Sequence, residues 1–335
     1  MQMPDAGETS RKATPQDPSA DTIGERARPL RVAFQGEPGA YSEEAVRAAF
    51  GADVEPVPSR SFEDVARAVL DGETDRGLLP VENTLAGTVV GGYDVLAGGE
   101  LEVVGEVVRP IRHCLLGIPG TDVPRLERVL SHPVALAQCT RFFRAHSEVE
   151  AVAVYDTAGA ARAVAERGDP SVAAIAARGA AERYGLEVLL EDLQDRADNQ
   201  TRFYVVRRPE AGEPRRDEEG GEETVGRATT KGRGGKEDRP APGESAPEAE
   251  DRWKTAILFR TRNEPGALVD VLHAFSVRGV NLSKLESRPG EDPWTYRFFL
   301  ELEDRGDRGT AREAVREARA AAQELRVLGV FRRLA

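Results

Sequence analysis

Between Arg208 and Arg252 the chain carries one large aliphatic side chain, Val225, and no aromatic before Trp253. Such a stretch has no apolar surface to offset the entropy of ordering its backbone, so it separates whatever folds on either side. Its 13 acidic and 9 basic residues nearly cancel. The expectation for 208–252 is a disordered linker, a mobile coil with an r.m.s. span of about 35 to 40 Å. Residues 1–29 have the same character, with Ile23 their one β-branched aliphatic, and read as a disordered tail. Two blocks of ordinary domain size remain, 30–207 and 253–335. A long coil between them is a poor lever, so communication between the blocks requires direct docking.

In the first block, short apolar runs alternate with helical patterns. Arg31 to Phe34, Gly77 to Val81, Leu101 to Val108, Cys114 to Ile118, Ala151 to Tyr155, Val172 to Ala176 and Arg202 to Val206 read as strands. Glu43 to Phe50, Phe62 to Leu70, Ala135 to Ala145, Ala158 to Arg167 and Arg178 to Tyr184 read as helices. This α/β rhythm implies a largely parallel sheet with its ligand at the carboxyl ends of the strands. The second block reads strand, helix, strand, strand, helix, strand, a ferredoxin-like βαββαβ sandwich. Its two helices cover one sheet face, and the open face or an edge strand is expected to take a partner chain.

Four turns of the first block set glycine or proline beside polar side chains. Gln35 to Ser42 follows the first strand and opens a helix, where free N–H groups attract an anion. Glu82, Asn83 and Thr84 follow the strand ending at Val81. Ser131 and His132 stand at a helix start, with Gln138 and Cys139 inside the helix, and Asp198 to Thr201 precede the last strand. Each turn alone is as well explained by helix capping or packing. The remaining chemistry is limited by what is missing. His113, His132, His146 and His273 form no ligand pair with each other or with Cys114 and Cys139, which argues against a metal. No P-loop, dinucleotide fingerprint or nucleophile elbow is present, so no cofactor is implied. With 58 acidic against 46 basic residues the net charge is −12, which disfavours nucleic acid and anionic membranes as partners. The chain lacks a signal-like hydrophobic segment and any span-length apolar run, which points to the cytoplasm.

The motifs in their order are more specific than any one of them. Gly36-x-Pro38-Gly39-x-Tyr41-Ser42, Pro80-Val81-Glu82-Asn83-Thr84, Ser131-His132-Pro133 with Ala137-Gln138-Cys139, Tyr184-Gly185-Leu186 and Asn199-x-Thr201-Arg202-Phe203 together resemble prephenate dehydratase. Glu264-Pro265-Gly266-Ala267-Leu268 and Asn281-Leu282 followed by Glu286-Ser287-Arg288-Pro289 resemble the ACT regulatory domain that follows it in that family. The resemblance implies two α/β lobes of the periplasmic-binding-protein type II kind, with the chain crossing over near Arg109 and returning near Leu190. It implies conversion of prephenate to phenylpyruvate, carbon dioxide and water, a reaction driven by aromatisation within the substrate and needing no cofactor.

By motif, the resemblance assigns catalytic roles to Thr201, Asn83, Gln138 and Glu82. Thr201 is the donor to the departing hydroxyl, transferring a proton or only positioning the group, with Glu82 as a proton source. Thr84, Ser131, Ser42 and Arg202 are expected to bind substrate, although Arg202 suits a buried ion pair equally well. Cys139 reads as packing and His132 as a helix-start residue. Asp156 stands where serine or asparagine is usual and reads as a helix cap. In the ACT block, Gly266, Ala267, Leu268, Asn281, Leu282, Glu286, Ser287 and Arg288 are expected to bind phenylalanine as a feedback effector between paired domains of a homodimer or tetramer. Arogenate as substrate, or a non-catalytic ligand sensor, are the alternative readings.

Overall fold

The computed structural model describes residues 28–209, 253–290, 292–304 and 308–335. The expected tail and linker lie outside the described residues, apart from Arg28, Pro29, Arg208 and Pro209. The first lobe contains β1 (Arg31–Gln35), α1 (Tyr41–Phe50), β2 (Glu55–Ser59), α2 (Phe62–Leu70), β3 (Arg76–Asn83), β4 (Gly87–Thr88), α3 (Val90–Ala97) and β5 (Glu102–Pro110). The chain then enters a second lobe with β6 (Cys114–Gly117), β7 (Arg128–Ser131), α4 (Pro133–Ala137), α5 (Thr140–Ala145), β8 (Glu150–Ala153), α6 (Thr157–Arg167), β9 (Val172–Ala176), α7 (Arg178–Tyr184) and β10 (Glu187–Leu190). Strand β11 (Gln200–Arg207) returns to the first lobe.

The sheet orders are β2-β1-β3-β11-β5, with β4 on β3, and β10-β6-β9-β7-β8. Both sheets are mixed rather than largely parallel. The returning strand β11 runs antiparallel to both β3 and β5, and β6 runs antiparallel to β9 and β10. Because β11 is reversed, its first residues lie beside the carboxyl ends of β3 and β5, so both crossings and the polar turns meet at one place. Strand β2 carries Pro56 and Pro58, which an edge strand tolerates because its outer side needs no donors. Local signals fix the helices. Ser61 caps α2 by accepting from Asp64 N at 3.1 Å, and Asp156 caps α6 by accepting from Gly159 N at 2.7 Å, as expected of it. The predicted helix 135–145 is divided at Gln138 and Cys139 into α4 and α5.

The second block is β12 (Trp253–Arg260), α8 (Ala267–Ser276), β13 (Asn281–Pro289), β14 (Tyr296–Asp304), α9 (Arg308–Ala321) and β15 (Glu324–Phe331), with strand order β13-β14-β12-β15. Ile257, Phe259, Leu300 and Leu302 face its helices. The opposite face is not open to a partner chain. Ala256, Leu258 and Phe299 share one core with Tyr93, Leu96 and Tyr204 of the first lobe, because that face is itself apolar and burying it is favourable. Gly329 lets β15 lie directly on β5, since a Cβ there would be 1.9 Å from the Val103 carbonyl oxygen. Beyond β15, Glu106 N donates to Arg332 O at 3.0 Å, Leu334 N to Glu106 O at 2.7 Å and Val108 N to Ala335 O at 2.8 Å. Among the described residues no helix is long and apolar enough to cross a membrane.

Candidate active site

A cleft of about 640 Å³ opens between the lobes at the start of β11, a volume suited to a small ligand. Asn83, Thr201, Gln138, His113, Tyr41 and Arg60 line it. Asn83 is 9% exposed and fixes the orientation of its neighbours. Its Oδ1 accepts from Leu85 N at 3.0 Å and Ala86 N at 2.9 Å, so its amide nitrogen must point the other way. That Nδ2 donates to Asn199 Oδ1 and to Thr201 Oγ1, both at 2.9 Å. Asn199 Nδ2 in turn donates to Gln138 Oε1 at 2.8 Å. The same Gln138 oxygen faces His113 Nε2 at 2.9 Å, so Nε2 carries the hydrogen. His113 Nδ1 then accepts from the Tyr41 hydroxyl at 2.7 Å. Burial lowers the His113 pKa and raises that of Tyr41, which keeps both neutral near pH 7.

The Tyr41 hydroxyl also lies 3.0 Å from Arg112 O, and two side chains of this chain keep hydrogens that face the cleft. Thr201 accepts from Asn83 and keeps its own hydroxyl hydrogen, while Gln138 uses its oxygen twice and keeps its amide hydrogens. Among the described residues neither finds a protein acceptor, and both side chains line the cleft. The floor therefore presents uncharged donors. Arg60 is exposed on the wall just past β2 and makes no ion pair among the described residues. No cluster of three metal-ligating side chains occurs among the described residues.

The residues expected from sequence divide cleanly. Thr201, Asn83, Gln138 and Ser42 line the cleft. Helix α1 starts at Tyr41 behind an Ala40 cap, which puts Ser42 within its first turn. Glu82 and Arg202 are not in the cleft. A β-bulge in β3 shifts the register with β11, pairing Phe203 with Pro80 and Arg202 with Glu82. Val81 and Glu82 thus share the face away from the cleft, and Asn83 is turned into it. Glu82 meets Arg202 at 2.7 Å and Lys284 at 3.2 Å, so its carboxylate is not a proton source for the cleft. Of the two readings of Arg202, the buried ion pair is the observed one. Thr84 Oγ1 donates to Asp198 O at 2.8 Å and accepts from Gln200 N at 2.9 Å, tying two loops together outside the cleft. Ser131 is fully buried and donates to Ile175 O at 2.5 Å, joining β7 to β9.

His132 caps α4 by accepting from Val134 N, and Cys139 is buried with its thiol pKa pushed up to about 12, which makes it inert. Sequence reading missed His113, Arg60 and the orienting role of Tyr41. Tyr41 and His113 lie 72 positions apart, and the only local signal for His113 was its place in the first crossover.

A second contact spans the lobes at the β1–α1 loop. Glu37 accepts from the Tyr155 hydroxyl at 2.6 Å and from Arg162 at 2.9 Å. The Tyr184 hydroxyl donates to Pro38 O at 2.8 Å. Gly39, at φ +89°, lies against α7 so closely that a Cβ would be 2.8 Å from Ala180 Cα.

In the second block, Gly266 sits at φ 87° before α8 and Asn281 begins β13. The strand registers align Arg260, Arg297 and Arg288 at one end of the sheet and Lys254, Glu303 and Asn281 at the other. Gly266 follows the first end, with Ser287 and Arg288. Asn281 lies at the far end, beyond a helix about 15 Å long, so one copy of the chain does not bring Gly266 and Asn281 together. Leu268 and Leu282 pack into the block's own core, and Ala267 is buried at the start of α8. Glu286 and Arg288 reach the first lobe instead, accepting from Thr88 Oγ1 at 2.6 Å and facing Asp94 at 3.6 Å, respectively.

Comparison with known proteins matches this arrangement. The prephenate dehydratase family model fits residues 32–211, and the ACT domain model fits residues 255–320. The chloroplastic arogenate dehydratase/prephenate dehydratase 2 of Arabidopsis thaliana is 36% identical over 312 residues, covering 90% of this chain and 72% of its own. A bifunctional N-acyl-homoserine lactone acylase/prephenate dehydratase of Komagataeibacter europaeus is 34% identical, with 90% of this chain and 95% of that protein covered. The solved structure of prephenate dehydratase from Arthrobacter aurescens in complex with L-Phe is 28% identical, superposes with a TM-score of 0.73, and covers 91% of this chain and 90% of its own. With a catalytic-type double lobe, a polar cleft at its hinge and an ACT domain docked behind it, the chain belongs to the prephenate dehydratase family.

Proposed function

We propose that the cleft converts prephenate to phenylpyruvate, carbon dioxide and water, with Thr201 as the donor to the departing hydroxyl. The observation that carries this reading is the unspent Thr201 hydrogen, aimed at the cleft by an amide chain that starts at two backbone N–H groups. The ring C–O bond breaks with its electron pair on oxygen. The electrons of the bond to the ring carboxylate close the aromatic ring, carbon dioxide leaves, and the departing hydroxide combines with the one proton the reaction consumes from the buffered solvent, leaving as water. Thr201 stabilises negative charge as it develops on that oxygen, and its own oxygen is held by Asn83, so the donor is preorganised. Gln138 offers its free amide hydrogens to the substrate.

Arg60 suits the carboxylate of the pyruvyl side chain, which stays anionic throughout. A cation on the departing carboxylate would oppose its conversion to neutral carbon dioxide, and the uncharged floor avoids that. Arogenate, with an ammonium group in place of the ketone, is the second reading. It is favoured by the names of the plant relatives and by Glu63, which lines the same wall as Arg60. Phenylalanine is the proposed effector, bound where two ACT domains pair. The exposed apolar side chains Val269, Val277, Leu285, Trp294 and Tyr296 support such pairing.

The test is turnover of prephenate and arogenate in competition, by wild type and by Thr201→Val. Wild type forms phenylpyruvate, and the folded variant loses kcat by on the order of 10²- to 10³-fold. A folded wild-type chain with no turnover of either substrate overturns the reading.

A further inference from the structure

The two strands that carry Asn83 and Thr201 have another side. In the β3–β11 ladder, Thr201 pairs with Asn83 and the next pair is Arg202 with Glu82. The first pair faces the cleft and the second faces the ACT sheet. Arg202 directs its two terminal nitrogens at Glu301 of β14, at 2.6 and 2.7 Å, and also meets Glu82 at 2.7 Å and Glu106 at 3.3 Å. Lys284 of β13 takes the other oxygen of Glu82 at 3.2 Å and lies over the Tyr93 ring, 5.0 Å from its centre. Lys254 of β12 holds Glu106 at 2.8 Å, and the Tyr204 hydroxyl closes on Glu301. Glu301 has only 3% of its side chain exposed. Burial pushes its pKa up, but the charge and hydrogen bonds of Arg202, with help from Tyr204 and Lys254, outweigh burial and hold it below the usual carboxylate value.

The bulge explains why this matters to the cleft. It separates the Asn83–Thr201 and Glu82–Arg202 pairs from the regular part of the β3–β11 ladder. The bulge disrupts the β3–β11 ladder locally, and although β5 pairs regularly with β11 past Thr201 and Arg202, the angle between the β3 and β11 ends that carry Asn83 and Thr201 also depends on what holds their reverse side. Part of that hold comes from the other domain, through Glu301 on Arg202 and Lys284 on Glu82.

We propose that Glu301 and Lys284 of the ACT domain are positioning residues for the dehydration, setting the aim of Thr201 and Asn83 through Arg202 and Glu82. The inference rests on the reading of Thr201 as the donor. It gives the ACT domain a route to the cleft that bypasses residues 210–252, since a shift of β14 against β11 is delivered one residue from Thr201.

The test uses the full chain with Glu301→Gln, Glu301→Asp and Lys284→Met, each compared with Thr201→Val. Glu301→Gln is nearly isosteric, and Lys284→Met keeps the length and apolar stem; if one fails to fold, the other carries the test. Each is expected to keep KM within about twofold while kcat falls on the order of 10- to 100-fold, the effect of misaimed groups rather than lost binding. Glu301→Asp, which keeps the charge facing Arg202, is expected to recover at least about a third of the Glu301→Gln loss, which a purely structural defect would not do. Unchanged kcat in folded Glu301→Gln or Lys284→Met, or loss of kcat that follows the melting temperature with KM rising in parallel, overturns the proposal. If Thr201→Val is inactive while those variants are fully active, the positioning role fails and the reading of the cleft stands.

Discussion

Replacing Asn83 by aspartate changes one cleft group from a two-hydrogen donor into an acceptor while leaving shape and volume almost untouched. In the native chain Nδ2 donates to Asn199 Oδ1 and Thr201 Oγ1, each at 2.9 Å. In Asn83→Asp, Asn199 meets an oxygen with its own oxygen. Rotating the Asn199 amide does not help, because its nitrogen is committed to Gln138 at 2.8 Å. Thr201 responds by turning its hydroxyl hydrogen toward the new carboxylate and away from the cleft. The neutral hydrogen bond to Asn199, worth about 1 kcal/mol, is lost, and the one to Thr201 is reversed. Adding a buried charge that is only partly compensated brings the expected destabilisation to about 2 to 4 kcal/mol. Loss of the donor to the leaving oxygen lowers kcat at neutral pH by on the order of 10²- to 10³-fold.

The pH profile separates this from general damage. Burial raises the pKa of the introduced carboxyl, and once protonated it donates again and releases the Thr201 hydrogen to the substrate. The variant's kcat therefore rises as pH falls between about 8 and 5.5, after subtraction of spontaneous prephenate breakdown, whereas an asparagine has no such titration. Phenylpyruvate absorbance in steady state gives the profile. A variant with kcat within about threefold of wild type at pH 8, or one whose kcat falls with acidification, would show that Asn83 does not set the direction of the Thr201 hydroxyl.

Two further outcomes are expected. His113 has a folded-state pKa below its ordinary value, so its contribution to stability is present above about pH 6.5 and is lost as pH falls from there toward the folded pKa; thermal melts should show that decline in wild type and not in His113→Gln. Gly329→Ala would put a Cβ 1.9 Å from the Val103 carbonyl oxygen, which parts β15 from β5 and costs about 1 to 3 kcal/mol or more; calorimetry showing an unchanged melt would contradict the docking of the ACT sheet on the first lobe.

The βαββαβ order was legible because each strand and helix of that block carries its own period, whereas the two crossings near Arg109 and Leu190 were expected only through the family resemblance. Elements without a period were not legible. Strand β2 reads Glu-Pro-Val-Pro-Ser, and α3 begins Val-Gly-Gly; both form because of what they pack against. The cleft residues Thr201, Asn83 and Gln138 were found through motifs, but Glu82 and Arg202 were drawn in with them. Adjacent residues on a strand face opposite ways, and which way each faces was decided by a bulge that leaves no mark in composition. The His113–Tyr41 contact and the place of Arg60 on the cleft wall depend on long-range packing, so no local spacing announced them.

The loop from Glu37 to Gly39 changes what kind of motion can admit a ligand. Two jaws joined only by crossing strands can swing apart freely, but here a third attachment fastens the first lobe to α6 and α7. With Gly39 pressed against Ala180, this side resists widening much as a stitched seam does. Ligand exchange is then a matter of unfastening the Tyr155 and Arg162 ends, or of lobes rotating about the seam so that the far rim gapes. While the seam holds, the rim opposite Gly39 is the one left to move.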